Sequence, residues 1–466
     1  MRLSLGILKD HADLLNTEEL VNISAFLQSN VMPVTGCSEP AAIAYASSIA
    51  IHAVSGRLPP DFSGSTPLIA QSEIRQIEVI TDRNVFKNTT NAVIPGMDGR
   101  TGPAMAAAAG LFLDPRDGLD VLSGMTPEKR ARALVIALSD RVVCRLAGGE
   151  KSQITPDIRV EIAAETQDGL RKGSVRISGK HNHVSRITVD EKDVYIRQEI
   201  PGESLEEKVP DPLIWLIRIA ESMDDQDIDL VYRGVEMNLA LSRIGQEMAY
   251  GLGLGSKLKT ILSNQKGSMS LIDAVRVAAA AAADARMGGA PFPVMSSAGS
   301  GNQGITALVP VGVVGKECRF SKEEIARAAL ISHMVTKQAD RYAGHLSALC
   351  GCSIKAGVGA TAGVTYLIGG GKEEITTAIN LLVANITGTI CDGAKPGCTL
   401  KIATAAGLAT ECAFLAVGGM KIPPENGIIQ RTTTGTLHTL EIISQAMAPV
   451  DAAVLKILEN KPAHPV

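Results

Sequence analysis

The sequence predicts an α+β protein in which a mostly helical catalytic domain is joined to a smaller domain of mixed strands and helices. Between about residues 57 and 205, short runs of β-favouring residues alternate with polar turns and helical stretches. After about residue 206, apolar residues recur at helical spacing, and several stretches end in glycine. Strands mixed with helices before a helical remainder indicate a separate α+β domain.

Composition limits the class of protein. The chain has 466 residues, of which 45% are hydrophobic and only 3% aromatic, so we expect an aliphatic and closely packed core. A net charge of −4, without a basic run, gives no support for binding to nucleic acid or to a membrane surface. The N-terminal residues lack the pattern of a signal peptide, and the cysteines lack a dense disulfide pattern. We therefore expect a cytoplasmic protein.

Residues 1–56 are predicted to form helices that pack with the helical catalytic domain, residues 206–466. Within them, Thr35-Gly-Cys-Ser-Glu-Pro precedes a helix that runs to about residue 54, with Ser38 as its N-cap. Cys37 then lies at a helix N-terminus, where the positive end of the helix dipole favours a thiolate. The simpler alternative is a buried loop thiol.

Residues 57–205 are predicted to form the α+β domain. The predicted strands are 74–81, 158–166, 173–180 and 184–190, and the predicted helices are 99–113 and 127–148. His181 and His183 alternate in a segment interpreted as a strand, either as metal ligands or as solvated strand-edge residues.

Residues 206–466 are predicted to form the helical domain. A loop at 296–304, Ser-Ser-Ala-Gly-Ser-Gly-Asn-Gln-Gly, contains a G-x-G-x-x-G pattern. Nearby prolines make the βαβ setting of a dinucleotide site improbable. We interpret the loop as an anion nest, in which glycines expose backbone N–H groups to a carboxylate. A tight structural turn is the alternative.

The stretch 345–404 contains four of the eight cysteines: Cys350, Cys352, Cys391 and Cys398. Asp-Gly and Pro-Gly pairs between the last two predict a turn that folds both sulfurs toward one point. Three thiolates from two loops suit an iron–sulfur cluster, because soft sulfur ligands select it. Their spacing does not match common zinc patterns, and buried structural cysteines are the alternative.

Four motifs, TGCSEP, SSAGSGNQG, CGCSIKAGVGATAG and TICDGAKPGC, together resemble the L-cysteine desulfidase family. That family is related to the bacterial iron–sulfur L-serine dehydratases. Their smaller domain resembles the predicted α+β domain and implies an accessory or regulatory role for it. The resemblance implies a 4Fe–4S cluster held by Cys352, Cys391 and Cys398, with one iron open to the substrate. Cys350 could replace Cys352, and Cys37 would lie near the open iron or ligate it at rest.

The resemblance extends to residues 87–96, where Lys87-Asn88 and Pro95-Gly96 are similar to a family stretch that implies a loop near the substrate. An ordinary polar loop is the alternative. The predicted substrate-binding residues are Ser300, Gly301, Asn302, Gln303 and Asn88, and the catalytic candidates are Cys37, Ser38 and His345.

The predicted function is a lyase of amino-acid catabolism, independent of pyridoxal phosphate, that converts L-cysteine to hydrogen sulfide, ammonia and pyruvate. L-serine dehydration by the same cluster is the close alternative, since only the leaving atom differs. A non-catalytic iron–sulfur or small-acid sensor is the alternative from another class. The expected partner is a small amino acid, and a homo-oligomer is possible. The cluster is expected to be sensitive to oxygen, so an aerobically prepared sample can lack it.

Overall fold

The computed structural model describes residues 23–64, 67–147, 157–166, 169–197, 212–264, 268–344 and 347–460. Helices predominate beside a mixed sheet, which confirms the predicted α+β fold. The helices are α1 (Ile23–Asn30), α2 (Ser38–Val54), α3 (Arg83–Thr90), α4 (Pro103–Gly110), α5 (Pro127–Ala137), α6 (Pro212–Glu221), α7 (Asp225–Glu247), α8 (Leu254–Ser263), α9 (Leu271–Met287), α10 (Gly301–Glu317), α11 (Lys322–Ala343), α12 (Ala356–Leu367), α13 (Lys372–Ile386), α14 (Cys398–Val417), α15 (Thr433–Ala446) and α16 (Ala448–Glu459). The strands are β1 (Pro33–Thr35), β2 (Ile74–Thr81), β3 (Val142–Leu146), β4 (Asp157–Thr166), β5 (Gly169–Ser178), β6 (Val184–Val189), β7 (Lys192–Ile196) and β8 (Pro293–Met295).

Six strands form one sheet in the order β3-β2-β4-β5-β6-β7. Strands β2 and β3 are parallel, with α3, α4 and α5 in the connection between them, and the other neighbours are antiparallel. Alternate residues of β4, from Ile158 to Ala164, are buried, as expected for a sheet covered on one face. Helix α2 packs on β4 and β5 so closely that a Cβ at Gly173 would lie 2.8 Å from the carbonyl oxygen of Ala50.

Two segments of the predicted α+β domain differ from the prediction. The predicted helix 127–148 ends at Ala137, and Val142–Leu146 form β3, because β-branched residues pair there with β2. His181 and His183 lie in the turn between β5 and β6, where Gly179 has a φ of 80°, and not on a strand. The predicted loop at 87–96 begins as helix, since Lys87 and Asn88 belong to α3.

The short ribbon of β1 and β8 joins the N-terminal segment to the helical part of the chain. Val34 pairs with Val294, and Ser296 donates its backbone N–H to the carbonyl oxygen of Met32 at 2.9 Å. Helix α2 therefore contacts the sheet while the strand before it contacts the helices. The division into domains 1–56, 57–205 and 206–466 stays a prediction.

The helical part is built around three helices of small residues. Helix α9 packs against α7, α8, α10 and α14, and its six alanines 278–283 lie within the core. Helix α12 packs against α10, α11, α13 and α14. Close approach of backbones replaces the bulky aromatic contacts that the composition lacks.

Helix α14 is, among the described residues, the one helix long and apolar enough by composition to cross a membrane. Of its apolar window, 56% is buried inside the structure, against α9, α12 and α13. One side of α14 therefore belongs to the helical core, while Leu400 and Phe414 are exposed.

We expect Gly245→Ala to lower the thermal unfolding midpoint. A Cβ at Gly245 of α7 would lie 1.9 Å from the carbonyl oxygen of Ala281 on α9, so the helices would have to separate. Overpacking costs about 1–3 kcal/mol, which exceeds the roughly 1 kcal/mol that alanine contributes over glycine in a helix. Gly388→Ala is the matched control, since a Cβ there meets nothing within 4 Å. Equal midpoints for Gly245→Ala and the unmodified protein would contradict this packing.

Candidate active site

A cavity of about 90 Å³, lined mostly by buried residues, lies where the N-termini of α2, α10 and α14 meet a π-helical turn, Gly351–Lys355. We call it the cysteine cavity, because Cys37, Cys350, Cys352, Cys391 and Cys398 all line it. Nine of the predicted site residues line this cavity: Cys37, Ser38, Asn88, Ser300, Asn302, Gln303, Cys352, Cys391 and Cys398. Gly301 is adjacent but does not line it, and His345 lies outside the described residues.

Backbone hydrogen bonds join the two cysteine-bearing segments. The N–H of Cys391 donates to the carbonyl oxygen of Ala348 at 2.7 Å, and the N–H of Cys350 donates to that of Thr389 at 2.9 Å. Leu349 and Ile390 form the antiparallel bridge between them. Residues 41 positions apart in sequence are thus held side by side by main-chain contacts (391 − 350).

The thiols of Cys350 and Cys352 are in contact, with their sulfur atoms 3.3 Å apart. This hydrogen bond lowers the pKa of Cys350 to about 6 and raises that of Cys352 well above its ordinary value. Cys398 begins α14, and its sulfur lies 3.7 Å from the carbonyl oxygen of Gly393. Both members of the C-x-C pair line the cavity, so the choice between them stays open.

The turn from Cys391 to Cys398 is held by Asp392. Its Oδ1 lies 2.5 Å from the Nζ atoms of both Lys395 and Lys401. Burial opposes ionisation of this carboxyl, but the two lysines outweigh burial and lower its pKa to about 2. Gly393 has a φ of 92°, and a Cβ there would lie 2.6 Å from the carbonyl oxygen of Lys87. Glycine is therefore required for the turn to approach α3.

The side chains that line the cavity include sulfur donors of the kind that an iron–sulfur cluster takes. No group of three or more His, Cys, Asp or Glu side chains in the described ranges converges closely enough to hold one metal ion. Five cysteines line the one cavity. Thiolate ligands select iron–sulfur clusters, and the backbone around them is rich in glycine and alanine.

Cys37 is the N-cap of α2, one residue before the predicted cap at Ser38. Its thiol donates to Oε2 of Glu39 at 3.1 Å. Burial and the charge of Glu39 raise the pKa of Cys37 well above its ordinary value, and so outweigh the helix dipole that favours a thiolate. Ser38 donates its hydroxyl to the carbonyl oxygen of Gly299 at 3.1 Å, which ties α2 to the glycine-rich segment.

Glu39 connects three parts of the chain at the cavity. Its Oε1 accepts a hydrogen bond from Nδ2 of Asn88 at 2.8 Å, and it lies 4.0 Å from Nε2 of His181. Burial disfavours the charged carboxylate, but the charge of His181 and the hydrogen bonds from Cys37 and Asn88 outweigh burial and lower the pKa of Glu39. The turn of the sheet therefore supplies a cavity residue, His181, which the sequence analysis considered only as a metal ligand or a solvated strand-edge residue. Gly179 before it was the available signal of a turn.

The glycine-rich segment forms the start of α10 and not an open nest. Ser300 is the N-cap, and Gly301–Gly304 form the first helical turn. A Cβ at Gly304 would lie 1.9 Å from the carbonyl oxygen of Met295, so this turn packs directly on β8. Ser300, Asn302 and Gln303 line the cavity at a helix N-terminus, where the dipole favours an anion.

Arg286 at the end of α9 is a residue that the sequence analysis missed. It lines the cavity, and only 2% of it is exposed. Its Nη1 donates to Oδ1 of Asn302 at 2.7 Å, while Nε and Nη2 have no hydrogen-bond partner among the described residues. A lone arginine after a run of buried alanines was the signal in the sequence.

The lysines that line the cavity are each engaged by a carboxylate. Lys87 of α3 lies 2.5 Å from Oδ1 of Asp451 on α16, and Lys355 lies 2.7 Å from Oδ1 of Asp340 on α11. Lys401 contacts Asp392 as described. These pairs neutralise buried charge and connect the cavity walls to the surrounding helices.

A larger groove of about 980 Å³ lies between α6, α11, α13 and α15. Among the described residues, no cysteine lines this groove. The volume of a pocket does not by itself indicate catalysis. The cysteine cavity is the candidate active site because ionisable groups with shifted pKa values line it.

Comparison with known proteins adds independent information. Residues 116–456 match the model of the family described as serine dehydratase alpha chain. A UPF0597 protein of Desulfatibacillum aliphaticivorans is 34% identical over 455 residues, which cover 95% of this chain and 99% of the relative. UPF0597 proteins of Desulforapulum autotrophicum and Clostridium perfringens are each 34% identical, over 94% and 93% of this chain and 97% of each relative.

Proposed function

This chain belongs to the serine dehydratase alpha chain family, and on that premise we propose that it is a lyase that converts L-cysteine and water to hydrogen sulfide, ammonia and pyruvate. The observation that carries the proposal is the cysteine cavity, where sulfur donors meet a buried arginine and a hydrogen-bonded carboxylate. The family membership supports a lyase, and the cysteine specificity is the finer part of the proposal.

In this proposal Cys352, Cys391 and Cys398 would hold a 4Fe–4S cluster, with Cys350 as the alternative to Cys352. When bound, such a cluster supplies a Lewis-acidic iron with an open site for the leaving sulfur, which makes pyridoxal phosphate unnecessary. Cys37, Glu39 and Arg286 are buried at the cavity, so their electrostatic interactions with the substrate are stronger than they would be in water.

Proton transfer is proposed for Cys37 and Glu39. Elimination removes a proton from Cα and returns one to the leaving group, so a group that can both hold and pass a proton is needed. The thiol of Cys37 holds a proton and already donates it toward Oε2 of Glu39, whose ionised form is favoured by His181 and Asn88. In the proposed step the ionised Glu39 accepts the Cα proton, and the Cys37 thiol gives its proton to the leaving sulfur. Transfer of the proton from Glu39 to the Cys37 thiolate, along the hydrogen bond between them, then restores both groups.

The other predicted catalytic and substrate-binding residues have positioning or binding roles in this proposal. Ser38 positions the start of α2 through Gly299, since its hydroxyl already donates to that carbonyl oxygen. Asn88 positions Glu39 through its amide N–H, and its Oδ1 is buried without a partner among the described residues, so it is available to a substrate amino group. Gln303 likewise has a buried Oε1 without a partner there. His345 stays a prediction from the sequence.

Serine dehydration is the second candidate, because the matching family is described by that reaction. The two reactions share the carboxylate, the amino group and the α-proton, and they differ only in the leaving atom. We also propose that the protein is cytoplasmic, that it forms a homo-oligomer and that it does not bind nucleic acid. A sensor without turnover is the remaining alternative.

The test is an anaerobic assay of reconstituted protein with L-cysteine and L-serine in parallel. We expect visible sulfur-to-iron absorption, release of sulfide and pyruvate from cysteine, and a lower kcat/KM for serine. Pyruvate from serine with little sulfide from cysteine would replace the first activity by the second. A cluster-loaded protein that releases neither product would support the sensor and contradict the lyase.

A further inference from the structure

Arg286 presents an unusual electrostatic arrangement. A guanidinium is always charged in proteins, and burying a charge without a partner is costly. Arg286 is buried, yet no carboxylate among the described residues pairs with it. The neighbouring cavity lysines Lys87, Lys355 and Lys401 each contact an aspartate. Arg286 is therefore the cavity cation whose counter-charge the described chain does not supply.

The open atoms of Arg286 form one edge of the guanidinium. Nη1 is held by Asn302, while Nε and Nη2, which point in the same direction, have no partner. Elsewhere in this chain that same edge binds a carboxylate with two parallel hydrogen bonds. Arg176 donates from Nε and Nη2 to the two oxygens of Asp157 at 2.9 and 3.0 Å, and Arg186 binds Asp193 through the same atoms. The open edge thus has the geometry for one carboxylate.

Two neighbours fix the plane of this guanidinium. Asn302 accepts from Nη1 through Oδ1, and its own Nδ2 lies 3.2 Å from Sδ of Met287, so both ends of the amide are engaged by the protein. At Gly301, a Cβ would lie 2.4 Å from Nε and 2.8 Å from Cζ of Arg286. Glycine at this position leaves room for the guanidinium against the first turn of α10. The glycine-rich segment therefore acts by positioning Arg286.

We propose that Arg286 binds the α-carboxylate of the substrate through Nε and Nη2, and that Asn302 is a positioning residue that holds the guanidinium for it. This inference rests on the proposed function for the identity of the substrate, but carboxylate binding can be tested without turnover. It implies that the site selects small thiols or alcohols that carry a carboxylate one or two carbons away. It also assigns to Asn302 an indirect role in place of direct contact with the substrate.

The test compares two thiols that differ in the carboxylate: 3-mercaptopropionate, which has it, and cysteamine, which has the amine instead. Binding of each to the cluster-loaded protein is measured by calorimetry for the unmodified chain and for Arg286→Lys, which keeps the charge but loses the two-atom edge. We expect Arg286→Lys to weaken the binding of 3-mercaptopropionate at least tenfold and the binding of cysteamine less than twofold. Arg276→Lys, a half-exposed arginine on the same helix, is the matched control and should change neither.

Equal weakening of both thiols, or unchanged binding of 3-mercaptopropionate with full iron content, would overturn the role of Arg286. If Arg286→Lys does not fold, Asn302→Ala is measured in its place. We expect it to weaken the binding of 3-mercaptopropionate but not that of cysteamine, and unchanged binding of 3-mercaptopropionate would contradict the proposal. With L-cysteine as substrate, KM should rise more than kcat falls. Failure of the proposed lyase activity would appear separately, as an unmodified protein that binds 3-mercaptopropionate but releases no sulfide.

Discussion

Cys391→Ala should lose the reconstituted iron, its visible absorption and all sulfide release. Cys391 lines the cysteine cavity on the segment that is hydrogen-bonded to the Cys350 segment. Loss of one of three ligands removes a covalent attachment of the cluster. Iron content and the absorption spectrum of anaerobically reconstituted protein measure this result, and Cys398→Ala is expected to behave in the same way.

Cys412→Ala is the matched control. Cys412 lies on α14, as Cys398 does, and is buried, but it does not line the cavity. We expect it to retain iron and activity. Iron retention in Cys391→Ala equal to that of Cys412→Ala would contradict the assignment of the ligands.

The same measurement separates Cys350 from Cys352. Their sulfur atoms are 3.3 Å apart and both line the cavity, so proximity does not distinguish them. We expect Cys352→Ala to lose iron and Cys350→Ala to keep it. The reverse result would move the ligand by two residues and leave the rest of the proposed site unchanged.

Cys37→Ala should keep its iron but lose most of its activity. In the proposal, the Cys37 thiol exchanges protons with Glu39, and proton transfer by a positioned side chain contributes roughly 10²–10⁴-fold to a rate. We therefore expect kcat to fall by at least about 100-fold, with iron content and the binding of 3-mercaptopropionate little changed. Sulfide and pyruvate release, measured beside an iron count, test this expectation.

Two other outcomes for Cys37→Ala have clear meanings. A fully active variant with full iron content would remove Cys37 from the mechanism. An iron-free variant would make Cys37 a required ligand, contrary to the proposed proton transfer. Glu39→Gln distinguishes these further, because it keeps the size of the side chain but removes the proton acceptor, and it should lose activity with its iron retained.

Much of the secondary structure could be predicted from local patterns. The strand at 74–81 has the predicted bounds, and α2 ends at Val54, where the sequence predicts the end of a helix. The error at Val142–Leu146 arose because the segment follows a strong helix, whereas its pairing with β2 is a contact between residues far apart in sequence. Such non-local pairing overrides local propensity.

The sequence by itself determined the fold class and the serine-dehydratase-related family, and it supplied the cysteines as candidate ligands, because each of these depends on residue type and local spacing. Only the tertiary structure showed that Arg286 and His181 line the same cavity as those cysteines. It also showed that Cys37 is a buried thiol that donates a hydrogen bond to Glu39. These properties depend on burial and on charges from distant segments, and neither is encoded in the spacing along the chain.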